Sequence, residues 1–197
     1  MKHLWFIPLL FLGGCSSTQP HILEYKISPE VSKYEFKSSS CKTKSLKVGR
    51  AFTSSELKSQ NMRYEKGEYQ QFSFTESKWA TTPNSAITSA LVRSINNQDI
   101  FASVSSSQSR SRSDLVLETR VEDFKQYFVE DTNNSFVKVE LSISLVDARK
   151  NRVIETKHLT RKKEVQTLDA QGGVQALNKA FGELLEENNK WLSGACK

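Results

Sequence analysis

Few side chains in this 197-residue chain are of types that do chemistry, and their neighbours decide what each could do. Past the first fourteen residues the only histidines are His21, in a polar stretch, and His158. A Ser-His-Asp device needs a histidine oriented by a carboxylate beside an activated serine, and no G-x-S-x-G elbow supplies one. His158 alternates with Thr156 and Thr160 on one strand face, flanked by lysines, and reads as a solvated strand residue. One such histidine cannot furnish the usual nitrogen and sulfur ligands of a metal site. Asp123, Glu130 and Asp131 lie close in sequence, but carboxylates at a strand end are ordinarily solvated. Gly172-Gly173 opens a helix without the preceding strand and lysine of a phosphate loop. The residues therefore compose no catalytic centre, and no enzyme activity, metal or cofactor is expected.

The three cysteines carry more information. Leu12-Gly13-Gly14-Cys15 closes a short apolar run that starts after Lys2 and His3. The run is too short to span a bilayer but suits the h-region of an export signal. Leu three residues before Cys, with two small residues between, resembles the lipobox of bacterial lipoproteins. There a peptidase cuts between the positions of Gly14 and Cys15, and the Cys15 sulfur takes the acyl donor. A plain signal peptide with a nearby cysteine is the alternative. Residues 1–14 thus read as a removed signal peptide and 15–21 as a lipidated N-terminus and short tether. Residues 22–197 read as a single domain. One acyl chain holds a protein only marginally, so stable anchoring takes more, and bacterial lipoproteins carry three, palmitate among them. In an oxidising export compartment Cys41 and Cys196 read as one disulfide, against the alternative of two free thiols. Closing so long a loop contributes about 4 to 5 kcal/mol in the chain-entropy model.

The formal net charge of +6 comes from 28 basic and 22 acidic residues with no block of like charge, which favours solubility without indicating nucleic acid. Arg110 and Arg112 stand among serines without the interleaved aromatics of a single-strand binder. They read as a basic loop able to dock on an acidic partner or on lipid headgroups. Asn133-Asn134-Ser135 is a sequon with an acid two residues before Asn133, which resembles the extended acceptor of some bacterial glycosylation systems. An ordinary polar turn is the alternative.

Positioning these residues requires strands and two helices. Ile22 to Ile27 alternates as a strand, and 28–45 reads as a loop. Ser45 to Phe52 reads as a second strand with Leu46, Val48 and Ala51 or Phe52 inward. Met62 to Lys66 and Glu68 to Phe74 flank Gly67 as a hairpin. Thr82 as side-chain cap and Pro83 at the first position start a helix that presents Ile87, Leu91, Ser94 and Ile95 and ends near Asn96-Asn97. Ile100 to Val104 suits a short strand, and 105–113 a loop. Leu115 to Glu122, Val137 to Leu145 and Arg152 to about Glu164 form an antiparallel meander with a turn at Asp147 to Asn151. Val174, Leu177, Phe181, Leu184, Asn188, Trp191 and Leu192 mark one face of a helix from about Asp169 to Leu192. Trp79 and Trp191 read as core residues. The fold class is α/β, with a mixed, largely antiparallel sheet and two main helices packed on it. No further apolar run is long enough for a transmembrane helix.

This order of elements resembles the ABC-type transport auxiliary lipoprotein family, the PqiC-like proteins. The landmarks are the lipobox, Tyr25, Leu46-Lys47-Val48, Met62-Arg63-Tyr64, and Trp79 shortly before Thr82-Pro83. Phe101-Ala102-Ser103-Val104, Asp114-Leu115-Val116-Leu117 leading to Phe124, Leu145-Val146-Asp147 and Trp191-Leu192 complete them. The Ser/Lys segment around Cys41 and the Cys41/Cys196 pair depart from the commonest pattern. The resemblance implies a periplasmic α/β domain similar to the amino-terminal domain of TolB, held at the outer membrane by lipid on Cys15. Ser16 after that cysteine is consistent with outer-membrane sorting. It further implies a non-catalytic docking component of an ABC/MCE-type lipid transport system, with an MCE-family periplasmic protein as partner and room for a homo-oligomer. The alternative is another envelope-assembly lipoprotein, such as a peptidoglycan-synthesis regulator or a secretion or surface-organelle component. A soluble lipid carrier would need a deep apolar cavity, and the apolar residues look just sufficient to fill a core.

Overall fold

The computed structural model describes residues 21–34, 36, 39–129 and 134–196. In chain order the elements are β1 (Leu23–Tyr25), β2 (Ser45–Val48), β3 (Phe52–Thr53), a 3-10 turn (Glu56–Lys58), β4 (Asn61–Lys66), β5 (Gln70–Trp79) and α1 (Pro83–Asn96). Then come β6 (Ser103–Ser106), β7 (Leu115–Phe128), β8 (Ser135–Asp147), β9 (Arg152–Glu164) and α2 (Ala170–Gly194).

β7 organises the sheet. One edge pairs antiparallel with β8 from Leu115↔Asp147 to Phe128↔Ser135, and β8 pairs antiparallel with β9. The other edge of β7 is shared by three short parallel strands: β2 at Leu115–Leu117, β3 at Arg120–Val121 and β4 at Gln126–Phe128. β5 pairs antiparallel with β4, β1 runs parallel to β5, and β6 parallel to β2. The α/β class with a mixed sheet and two helices is as expected from the sequence. The run expected as one strand from Ser45 to Phe52 is divided between β2 and β3. Ala51 is buried between them while Phe52 points outward.

Strict alternation puts Val137, Val139, Leu141, Ile143 and Leu145 of β8 on the helix side, all essentially without solvent contact. β7 does the same through Leu115, Leu117 and Val121. A bulge between Val121 and Asp123 then shifts its phase, so that Phe124 continues the core. On α2, Leu177, Phe181, Leu184 and Leu192 fill the facing stripe, and Phe181 meets Phe124 edge-on at 5.9 Å. Asp169 caps α2, its Oδ1 accepting the Gly172 amide at 2.7 Å. That backbone hydrogen bond holds the Asp169 carboxyl below the usual range. Thr82 does not cap α1 by its side chain: its hydroxyl turns to Ser85 Oγ, and its carbonyl takes the first amides.

The segment from Lys26 to Tyr34 crosses α2 as a strap. Asn178 accepts the Ser28 amide and donates to the Lys26 carbonyl. Glu186 accepts the Ser32 amide and the Tyr34 hydroxyl, while buried Gln98 bonds Ser32 O and Tyr34 N. The crossing is close: a Cβ on Gly182 would lie 2.5 Å from the Glu30 carbonyl oxygen. Two ends of the sheet follow from the register. Phe128 is paired with both Lys66 and Ser135, and Phe136 with Glu164, so the β4–β5 turn, the β7–β8 link and the β9–α2 link share one end. The β8–β9 turn and the C-terminus of α2 occupy the other.

Replacing glycine by alanine inside a helix ordinarily stabilises by about 1 kcal/mol. The backbone oxygen over Gly182 reverses this, so Gly182→Ala is expected to destabilise by about 1–3 kcal/mol. Gly194→Ala meets nothing within 4 Å and should be neutral or mildly stabilising. Urea denaturation of the two variants reads the difference.

Candidate functional site

Residues with the means for chemistry are dispersed. His158 lies exposed in β9 opposite Ser142. Among the described residues no group of three or more His, Cys, Asp or Glu side chains could hold a metal ion. Gly172 and Gly173 serve packing: a Cβ on Gly173 would strike Gln126 Oε1 and one on Gly172 would strike Thr167. Arg110 and Arg112 are exposed, and Lys47 donates to the carbonyls of Ser109 (3.2 Å) and Ser111 (2.6 Å), which fastens their loop to β2. Gly14, Cys15, Glu130, Asp131 and Asn133 lie outside the described residues. Cys41 and Cys196 are joined as a disulfide with their Cα atoms 5.0 Å apart. It ties the chain before β2 to the chain after α2.

The bulge in β7 creates the most perturbed charge. It turns Asp123 onto the face of the sheet away from the helices, where the side chain is nonetheless buried. Tyr127 Oη donates to Asp123 Oδ2 at 2.5 Å, Lys138 Nζ stands 3.6 Å away, and Asp123 Oδ1 has no hydrogen-bond partner. Burial raises the Asp123 pKa, outweighing the Tyr127 hydrogen bond and the nearby lysines. Burial and the same hydrogen bond push the Tyr127 phenol far up. Lys125 bridges Glu65 at 2.5 Å and Glu56 at 3.8 Å, and Lys138 pairs with Glu140 at 2.5 Å. For Lys125, burial lowers the pKa but these carboxylates more than restore it. The cluster fastens β4, β7 and β8 side by side and can hold a proton. Sequence reading placed Asp123 among solvated carboxylates. The signal missed was the change of alternation phase from Val121 to Phe124.

A second feature is a cleft of about 550 Å³ between α1 and β6, lined by Arg50, Ser85, Ser89, Arg93, Ser107 and Gln108 among others. A neighbouring recess shares Ser85, Ser89 and Arg93 and adds Lys26. No carboxylate lines either, and Arg50 and Arg93 make no ion pair among the described residues. Two unneutralised guanidinium groups among hydroxyls form a basic, hydroxyl-rich surface suited to an acidic partner.

A mixed sheet backed by two helices, with charged surface features, defines a class of α/β module found in solved structures. A Xanthomonas campestris protein of the DUF330 family superposes with a TM-score of 0.76 at 16% identity, covering 87% of this chain and 95% of that chain. A second, uncharacterized protein gives 0.67 at 13% identity, covering 89% and 100%. The model of the family described as ABC-type transport auxiliary lipoprotein component matches residues 25–187, and the chain belongs to that family, which includes the PqiC-like proteins. No curated protein matches significantly. Among the described residues no helix is long and apolar enough to cross a membrane.

Two outcomes follow. Cys196→Ser, compared with the oxidised native chain, or the native chain with reductant compared with it without, should cost about 2–5 kcal/mol by removing a loop closure across a separation of 155 residues, measured as a fall in urea midpoint. A carboxyl whose native pKa is raised binds its proton more tightly folded than unfolded. Its contribution to stability therefore declines as pH rises from the ordinary carboxylate value through the raised native one. Asp123→Asn should lose that decline, so its urea midpoints should fall less than those of the native chain as pH rises above about 4.

Proposed function

We propose that this protein is a non-catalytic docking lipoprotein, anchored by lipid on Cys15 to the outer membrane. There it would hold the periplasmic end of an ABC/MCE-type lipid transport system. The observation that carries the reading is the family match across residues 25–187. An auxiliary component contributes positioning while ATP is used elsewhere, which suits a surface of clefts and ion clusters. The partner is an MCE-family periplasmic protein, and the acid-free cleft at Arg50 and Arg93 is the contact surface the charges favour. Complementary charge there would set recognition and encounter rate more than raw affinity.

Crosslinking in cells followed by purification of the lipoprotein should recover an MCE protein. Arg50→Glu with Arg93→Glu should reduce that recovery severalfold while leaving the urea midpoint unchanged, since both side chains are exposed. Recovery of only cell-wall synthases or secretion components would replace the transport reading with the envelope-assembly alternative. Intact-protein mass reads the lipid on Cys15.

A further inference from the structure

Exposed large apolar side chains occur at the start of β1 (Ile22, Leu23), on β3 (Phe52), on β9 (Val153, Ile154) and as a group at one end of the sheet, and the course of β1 relates that end to the tether. At the end shared by the β4–β5 turn, the β7–β8 link and the β9–α2 link, Tyr69 is 87% exposed at the turn tip, with Phe72 and Leu168 also exposed. Behind Phe72 lies a continuous ring cluster. Tyr64 is 5.4 Å from Phe72, 4.6 Å from Phe74 and 5.1 Å from Phe128 by centroids. On the opposite face of the same end Tyr127 stacks on Phe136 at 5.1 Å, with Lys162 Nζ 5.2 Å from the Phe136 ring. Aromatic rings therefore flank both faces of this end. Phe52, exposed elsewhere, carries the Arg120 guanidinium at 4.6 Å and the Lys58 ammonium at 5.7 Å from its ring. The far end presents Val153 and Ile154, but beside Arg149, Lys150 and Arg152.

β1 runs parallel to β5 with Leu23 opposite Ser77, so the chain enters the sheet from the side of the Tyr69 turn. From Ser77 back to Gln70, the first residue of β5, is seven residues, or about 23 Å at strand rise. Cys15 precedes Leu23 by eight residues, which reach about 26–29 Å when extended. The tether is thus just long enough to bring a lipid on Cys15 level with the turn tip. Amphipathic aromatic rings favour the headgroup level of a bilayer, and an apolar surface beside an acyl anchor adds a second contact.

We propose that the end of the sheet carrying Tyr69, Phe72 and Leu168 rests on the phospholipid surface in which Cys15 is anchored. The far end, with the β8–β9 turn and the disulfide, then points away into the periplasm. This rests on the reading of Cys15 as lipid-bearing. The test uses the full lipidated chain in vesicles of phosphatidylethanolamine and phosphatidylglycerol. An environment-sensitive fluorophore is placed on Tyr69→Cys, Phe72→Cys or Ile154→Cys under non-reducing conditions. Blue-shifted emission and loss of fluorescence to nitroxide-bearing lipid at positions 69 and 72, with neither change at 154, is the expected result. Flotation with the vesicles but no quenching at 69 and 72, or quenching at 154 instead, overturns the proposed orientation while leaving the anchor intact. Self-quenching at 69 that grows with protein density, without quenching by lipid, overturns it in favour of a second copy on this surface. A chain that carries no lipid by intact mass and does not float overturns the anchor reading, and the orientation with it.

Discussion

The structure depends on satisfying both hydrogen-bonding edges of β7. An unpaired backbone amide or carbonyl buried away from water costs roughly as much as a lost hydrogen bond, so a fourteen-residue strand in the middle of a sheet must be paired along both sides. β8 meets the demand on one side along the whole length of β7, with one bulge between Val121 and Asp123. On the other side three short strands divide the work, each too short to be stable without the template that β7 offers. The loops between those short strands inherit their positions from β7, and so do the clefts that the loops line. The basic cleft at Arg50 sits where the chain leaves β2 and passes to β3.

This asymmetry explains which parts were legible in the sequence. β8 alternates without interruption because one face is core throughout, so the order and pairing of the meander from β7 to β9 could be read, although β7 runs on past the expected Glu122 to Phe128 through its bulge. α2 was equally plain from the stripe Val174 to Leu192, and its Asp169 boundary is a true side-chain cap. The small parallel strands were harder: β3 is two residues long, and what makes it a strand is the β7 edge rather than its own composition. Phe52 illustrates the error this produces, since its side chain points outward with the Arg120 guanidinium over its ring instead of entering the core. Asp123 illustrates another. Nothing in its own identity distinguishes it from a solvated carboxylate, and only the bulge gives it an environment in which burial outweighs two lysines.

The candidate site was less legible than the fold because no residue type announces it. Cys15, the one position whose chemistry the sequence specifies, lies outside the described residues. Arg50 and Arg93 become notable only when α1 and β6 bring them to one cleft lacking carboxylates. The family match describes a component that assists transport, and the features the structure adds to it are surfaces rather than a reaction centre.

The strap and the disulfide have a mechanical consequence. Tension on the N-terminal tether would load the three residue pairs joining β1 to β5 and then the side-chain hydrogen bonds that hold Lys26 to Tyr34 across α2. Both are weak against force, and the chain would pay out from its beginning. At Cys41 the load divides, because that residue is bonded to Cys196 at the end of α2. A pull on the strap therefore bears on both ends of the domain's chain at once, on the segment leading into β2 and on the last turn of the helix that the strap crosses.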